Sequence, residues 1–204
     1  MDVEVQKATT VPVSGSHTMM GNEAIARGVW ESGVRVAVAY PGTPSTEILE
    51  SVAKYPQEDI EAQWATNEKV ALDVAIGASF AGERAFVAMK HVGLNVALDS
   101  LMSQTYIGVN GGLVLAVCDD PGIHSSQNEQ DTRLLAALAM IPILEPSDAQ
   151  EALDFVRTAF EISERFDTPV IERSTTRLSH TRSVVEVGER KPLSAFGFKD
   201  NPSK

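Results

Sequence analysis

A single cysteine, Cys118, stands among 204 residues, and it ends an apolar run over 112–118. That excludes an intrachain disulfide, and it excludes a four-cysteine cluster or zinc site built by this chain alone. Any iron–sulfur chemistry belongs to another chain or segment. Basic residues are scarce: 17 Lys and Arg face 28 Asp and Glu, a net charge of −11, with no Lys/Arg run to neutralise a row of phosphates. Nucleic acid is not an expected partner. No apolar stretch reaches the roughly 18 residues that span a bilayer, and MDVEVQKATTVPVSGS lacks a basic start followed by an apolar core. A soluble, cytoplasmic protein with no membrane partner is expected. The four histidines, His17, His91, His124 and His180, show no metal-ligand spacing. Asp119-Asp120 runs into Pro121-Gly122 and reads as the opening of a turn rather than a magnesium site. GVNGG opens no helix and is not a dinucleotide fingerprint. No metal site is expected on this chain.

What is present is a regular alternation. Residues 1–17 lack period and read as an unstructured arm or an appended remnant. From Met20 onward, 22–32 carries a helical stripe of Ala24, Ile25, Gly28 and Val29, with Gly33 as a stop before the apolar run 34–40. Pro41-Gly42 breaks that strand, Thr43 can cap a helix with Pro44 at its first position, and 45–54 continues it. Strand-like runs follow at 61–65, 84–90, 112–118, 142–144 and 168–173. Helical stretches separate them at 68–81, 93–104, 129–139 and 146–166, the last with Ser147 and Gln150 as a capping box. Several of the six runs are apolar throughout, which a strand tolerates only when both faces are covered. The expected fold is a three-layer α/β/α domain over 18–180 on an open, mainly parallel six-stranded sheet. Period is lost beyond 180, so 181–204 reads as a truncated linker.

In such sheets ligands lie beyond the carboxyl ends of the strands. Four segments converge there: YPGTPSTE, TNEKVALDVAIGASFAG, MKHVGLN and CDDPGIHSSQNEQD. In the second, Glu68 opens a helix and is followed by Ala71, Ala75, Gly77 and Ala78, a row of small residues that suits close approach to another backbone. An acidic residue in a first helical turn is ordinarily there because the dipole favours it. Thr43 and Ser45 suit helix capping and equally a substrate carboxylate at the sheet edge. His91 fits a surface imidazole or a group that binds substrate and moves a proton. His124, in HSSQNEQD, fits a hydrogen-bonding loop over a site or a solvated interface loop.

The spacing Glu-x-x-Ala-x-x-x-Ala-x-Gly from Glu68 resembles the helix that carries the invariant glutamate of the pyrimidine-binding domain in thiamine diphosphate enzymes. Within that superfamily MGNEAIARG, YPGTPSTEI, TNEKVALDVAIGASFAG, MKHVGLNVA, GVNGGLVLAV, DDPGIHSSQNEQD and LEPSDAQEA resemble the alpha subunit of indolepyruvate ferredoxin oxidoreductase. The resemblance implies oxidation of an aryl 2-oxo acid, with coenzyme A and ferredoxin, to its acyl-CoA and carbon dioxide. It implies Glu68 and His91 as catalytic groups, Glu68, Thr43, Pro44, Gly93 and Asn95 against the cofactor, and Thr43, Ser45, His91 and His124 near substrate. A carboxyl group held at N1′ of the pyrimidine drives the tautomer shift that makes the 4′-nitrogen the base for the thiazolium. Lys90 to Gly93 lies where that fold has a glycine-containing loop beside the cofactor.

Gly-Asp-Gly, which holds the diphosphate and its magnesium in these enzymes, does not occur here, nor does a ferredoxin-like cysteine cluster. Thiamine diphosphate is therefore expected to be shared with a diphosphate-binding domain or subunit, with Mg2+ and iron–sulfur clusters on other segments or partner chains. The beta subunit of the oxidoreductase, ferredoxin, and a homo- or hetero-oligomer complete the expected partners. Two other readings fit the same residues: a subunit of a non-oxidative thiamine-dependent decarboxylase, and a non-catalytic assembly subunit of this fold.

Overall fold

The computed structural model describes residues 14–195. Fifteen elements follow in order: β1 (Gly15–Met20), α1 (Gly21–Glu31), β2 (Val36–Ala39), α2 (Thr46–Val52), β3 (Glu61–Trp64), α3 (Glu68–Phe80), β4 (Ala85–Lys90), α4 (His91–Ile107), β5 (Leu113–Asp119), α5 (Thr132–Ala139), β6 (Ile143–Leu144), α6 (Ala149–Phe166), β7 (Val170–Thr175), α7 (Thr176–His180) and β8 (Arg182–Val187). Six strands form one sheet in the order β3-β2-β4-β5-β7-β6, and every neighbouring pair is parallel. Side chains alternate across it as the pleat requires. Ala37, Phe86, Val114 and Val170 meet α1, α2 and α6 on one face. Val38, Val87, Leu115 and Ile171 meet α3, α4 and α5 on the other. The doubly covered α/β/α fold expected from the apolar runs is the one observed.

The ends differ from expectation. Gly15–Met20 pairs antiparallel with Arg182–Val187, from Gly15 opposite Val187 to Met20 opposite Arg182. Val185 and Val187 turn inward onto Ala24, Ala149 and Leu153, so the ribbon packs outside α1 and α6 rather than in the main sheet. Beyond it, Gly188 N donates to Glu31 Oε1 at 2.7 Å and Lys191 N to Glu31 O at 2.9 Å. Residues 15–17 and 182–191 are thus bound to the fold, which corrects the arm and the linker at those positions. Residues 1–13 and 196–204 lie outside the described residues. The ribbon escapes a reading by period because it buries few side chains and its two strands are far apart in sequence.

Local signals also moved. The cap of α6 is Asp148, whose Oδ1 accepts from Glu151 N at 2.9 Å, while Glu151 reaches back to Ser147 N at 2.8 Å. The expected box is one residue out of register. Helix α2 starts at Thr46 with Ser45 before it, so Thr43 caps nothing, and the Thr43–Pro44 peptide is cis. Gly33 holds φ +74, and a Cβ there would lie 2.3 Å from Lys191 O, so the helix stop is also the place where the returning chain passes.

Candidate functional site

At the carboxyl edge of the sheet, β3 delivers Asn67 and Glu68. Asn67 Oδ1 accepts from Val70 N at 2.9 Å and caps α3. Glu68 is the first helical residue and is 9% exposed, yet among the described residues it has no hydrogen-bond or ion-pair partner. Its side chain lies in a notch on α4: a Cβ on Gly93 would sit 2.6 Å from both Cγ and Oε1 of Glu68. Any side chain at 93 would force the Glu68 carboxyl to move. The notch and the missing partner together fit a ligand that brings its own N–H to this carboxyl, as a pyrimidine ring would.

The row of small residues behind Glu68 divides. Ala71 and Ala75 are buried under the helix against Leu94 and Ala97 of α4, whereas a Cβ on Gly77 would meet nothing within 4 Å. Close helix approach is therefore satisfied within the chain, and Gly77 faces outward.

The stretch after β4 is not a loop. Lys90 ends the strand and caps α4, with φ −79 and ψ 167, so His91 and Gly93 stand in the first turn of the helix. His91 is fully buried, with Nδ1 3.4 Å from Cys118 O and Nε2 3.0 Å from Asn128 O. With both ring nitrogens facing carbonyls, the imidazole joins the end of β5 to the 121–131 loop and presents no free nitrogen to a substrate. In this placement the ring holds the loop.

The turn after β2 is pinned from beneath. Buried Ser45 donates from Oγ to Gly42 O at 2.8 Å, and Gly42 N donates to Thr46 Oγ1 at 2.9 Å. Pro44 O accepts from Asn22 Nδ2 at 2.7 Å. Ser45 is thus committed to the turn, and Thr43 is the hydroxyl left exposed at the edge. Asn95 is exposed one helical step beyond Gly93, and His124 is exposed on the loop.

Asp120 organises that loop. Burial opposes its ionisation, but Ser125 N at 2.7 Å, Ser126 Oγ at 2.7 Å, Thr176 Oγ1 at 2.7 Å and His124 N at 3.2 Å outweigh it and hold the carboxyl well below the usual carboxylate range. This is a turn-forming acid. Its neighbour Asp119 accepts from Arg173 Nε at 2.7 Å and from Thr132 N at 3.1 Å, tying β5, β7 and α5 together. Burial pushes the Cys118 thiol up to about 12, so it is an apolar filler of the sheet rather than a nucleophile. Among the described residues no three His, Cys, Asp or Glu side chains gather as a metal site would require, and no helix is long and apolar enough to cross a membrane.

Asn22 and Lys90 had no contact assigned by sequence reasoning, whereas Asp120 was read as the opening of a turn, which is where it stands. For Asn22 a signal existed: a polar residue inside the apolar stripe of α1, fully buried here. For Lys90 no spacing marks the contact, because it acts on a backbone carbonyl of a loop.

Fold and site together define a doubly covered α/β domain with a carboxyl group, without a partner among the described residues, at the carboxyl edge of its sheet. Over residues 27–203 the sequence matches the family model described as pyruvate flavodoxin/ferredoxin oxidoreductase, thiamine diphosphate-binding, and the chain belongs to that family. It is 52% identical, over 91% of its length, to indolepyruvate oxidoreductase subunit IorA of Pyrococcus horikoshii, and 51% identical over 90% to that of Archaeoglobus fulgidus. It spans 30% and 31% of those relatives' lengths. Ketoisovalerate oxidoreductase subunit VorA of Pyrococcus abyssi is more distant, at 29% identity over 89% of the chain and 50% of that relative. Among solved structures, 2-oxoglutarate:ferredoxin oxidoreductase from Magnetococcus marinus shares the fold with a TM-score of 0.74, at 21% identity, over 89% of this chain and 34% of that one.

Proposed function

We propose that this chain is the pyrimidine-binding part of an indolepyruvate-type 2-oxo acid:ferredoxin oxidoreductase. The observation that carries the proposal is Glu68, buried in the Gly93 notch and unpaired. In the proposed reaction an aryl 2-oxo acid, coenzyme A and two oxidised ferredoxins give acyl-CoA, carbon dioxide, two reduced ferredoxins and a proton. The cofactor, when bound, supplies the carbanion that attacks the keto carbon and the electron sink for loss of carbon dioxide. Glu68 holds the N1′ proton, Gly93 keeps room for that contact, and Thr43 offers its exposed hydroxyl to the ligand edge beside Pro44. We assign Asn95 of α4 to the cofactor side and His124 of the loop to the substrate side. The greater identity to the indolepyruvate relatives than to the ketoisovalerate one supports an aryl substrate.

The diphosphate, its magnesium and the iron–sulfur clusters belong to other segments or partner chains. The partners are a diphosphate-binding domain or subunit, the beta subunit and ferredoxin, in a cytoplasmic oligomer. The test is Glu68→Gln in the full-length protein with its partner subunit. A fall in kcat of about a hundredfold or more, the scale of a lost proton-transfer contact, is expected. Activity within twofold of wild type overturns the assignment.

A further inference from the structure

The junction between β4 and α4 reaches across the site in two directions. The stem of Lys90 lies over Gly42: a Cβ at Gly42 would be 2.9 Å from Lys90 Cδ and 3.2 Å from Cγ. From there Nζ donates to Ser125 O at 3.0 Å. The same side chain thus touches the turn that carries Thr43 and the loop that carries His124, while Gly93 receives Glu68 three residues along the helix. The far part of the loop is held separately, by His91 on Asn128. Ahead of both anchors the chain turns on Asp120, and Ile123, a β-branched residue, sits exposed at φ 54. That conformation is costly for such a side chain and persists only where surrounding contacts impose it.

We propose that Lys90 is a positioning residue, a strap that fixes the 121–131 loop against the Gly42 turn and so sets the opening through which the 2-oxo acid reaches the Glu68 edge. The inference rests on the function proposed above. Gly42 is part of the device, since any side chain there displaces the lysine stem. A lysine suits the task because its four-carbon stem packs along a bare backbone while its head finds a carbonyl.

The experiment uses the full-length protein with its partner subunit and the variants Lys90→Met, Lys90→Arg, Gly42→Ala and the double variant Gly42→Ala/Lys90→Met. Two quantities are read: hydrogen exchange of the amides around Ser125, without substrate, and KM and kcat for an aryl 2-oxo acid. Lys90→Met is expected to speed loop exchange about tenfold and to raise KM about five- to tenfold with kcat within twofold, as loss of one loop contact and of substrate positioning predicts. Lys90→Arg restores both quantities. Gly42→Ala acts in the same direction, and the double variant is no worse than Lys90→Met alone. Unchanged exchange in Lys90→Met overturns the strap. Faster exchange with unchanged KM overturns its role toward substrate. Should Glu68→Gln leave activity intact, the function fails, whereas the exchange result still decides whether the strap exists.

Discussion

The two ends of the main sheet treat buried acids in opposite ways. At the amino edge, Glu31 closes α1 and is 1% exposed, as Glu68 is 9% exposed at the carboxyl edge. Glu31 accepts from Arg27 Nε at 2.6 Å and from Gly188 N at 2.7 Å, and pairs with Arg157 as well. Arg27 is itself held over the Trp30 ring at 4.7 Å. Nearby, Arg84 binds Glu164 through Nε at 2.6 Å and Nη2 at 2.7 Å. Glu68 has none of this. One edge is closed by its own side chains, and the other leaves a carboxyl group without a partner among the described residues. A buried acid held by several cations and amides belongs to stability, and an acid without a partner at the carboxyl edge of the sheet is where function is to be sought.

Removing the acid at each end breaks or confirms that contrast most sharply. Glu31→Gln leaves Arg27 and Arg157 facing a neutral amide, and breaking a buried ion pair costs roughly 3–5 kcal/mol, enough to lower the midpoint of urea unfolding clearly. Glu68→Gln removes no protein contact, so its unfolding midpoint is expected within error of wild type or above it. Equal losses for the two variants would show that Glu68 is held by this chain after all.

A third buried acid tests the same logic from another side. Glu172, in the middle of β7, has both oxygens buried and without partners, and burial alone raises its pKa well above the ordinary value. The folded chain then holds this proton at pH values where the unfolded chain has released it. Stability attributable to Glu172 is complete below the unfolded pKa, about 4.3, and is lost as pH rises toward the folded value, by at most about 1.4 kcal/mol per pH unit. Glu172→Gln keeps the neutral shape and is expected to remove that slope, so the variant gains on wild type as pH rises. Parallel stability curves across pH would mean that Glu172 is ionised and paired in the fold. Unlike Glu68, it lies inside the sheet rather than at the edge, which is why it reads as a core group.

The contrast also explains what could be read from sequence. Six apolar or half-apolar runs between helical stripes sufficed for the sheet, because a parallel strand covered on both faces has no other composition available to it. Glu68 was legible since its position after a strand and the Ala and Gly spacing behind it are local. The Gly93 notch was legible as a glycine but not as a socket, because the contact joins two helices. Asp120 gathers mostly local residues, His124 to Ser126, but Asn22 holding Pro44 and Lys90 crossing Gly42 depend on which strands neighbour one another. That order, β3-β2-β4-β5-β7-β6, is a long-range property. The ribbon of β1 and β8 failed for the same reason, compounded by the few side chains it buries.

The smallest change in stability is expected from Gly93→Ala, and it tests whether the notch serves Glu68 or merely helix packing. A methyl group there meets Cγ and Oε1 of Glu68 at 2.6 Å, so the carboxyl must leave its rotamer, at a cost of about 0.5–1.5 kcal/mol. Alanine's greater helix propensity offsets about 1 kcal/mol of this, leaving the unfolding midpoint little changed. Thiamine diphosphate affinity and kcat/KM in the assembled protein should nevertheless fall about tenfold, since the carboxyl is displaced from the ligand. In a Glu68→Ala background the notch is empty, and Gly93→Ala should then cost nothing further in affinity or rate, while its propensity gain appears in full as added stability. If Gly93→Ala instead lowers affinity equally with and without Glu68, the glycine contacts the ligand directly, and the socket is a property of α4 rather than of the pair.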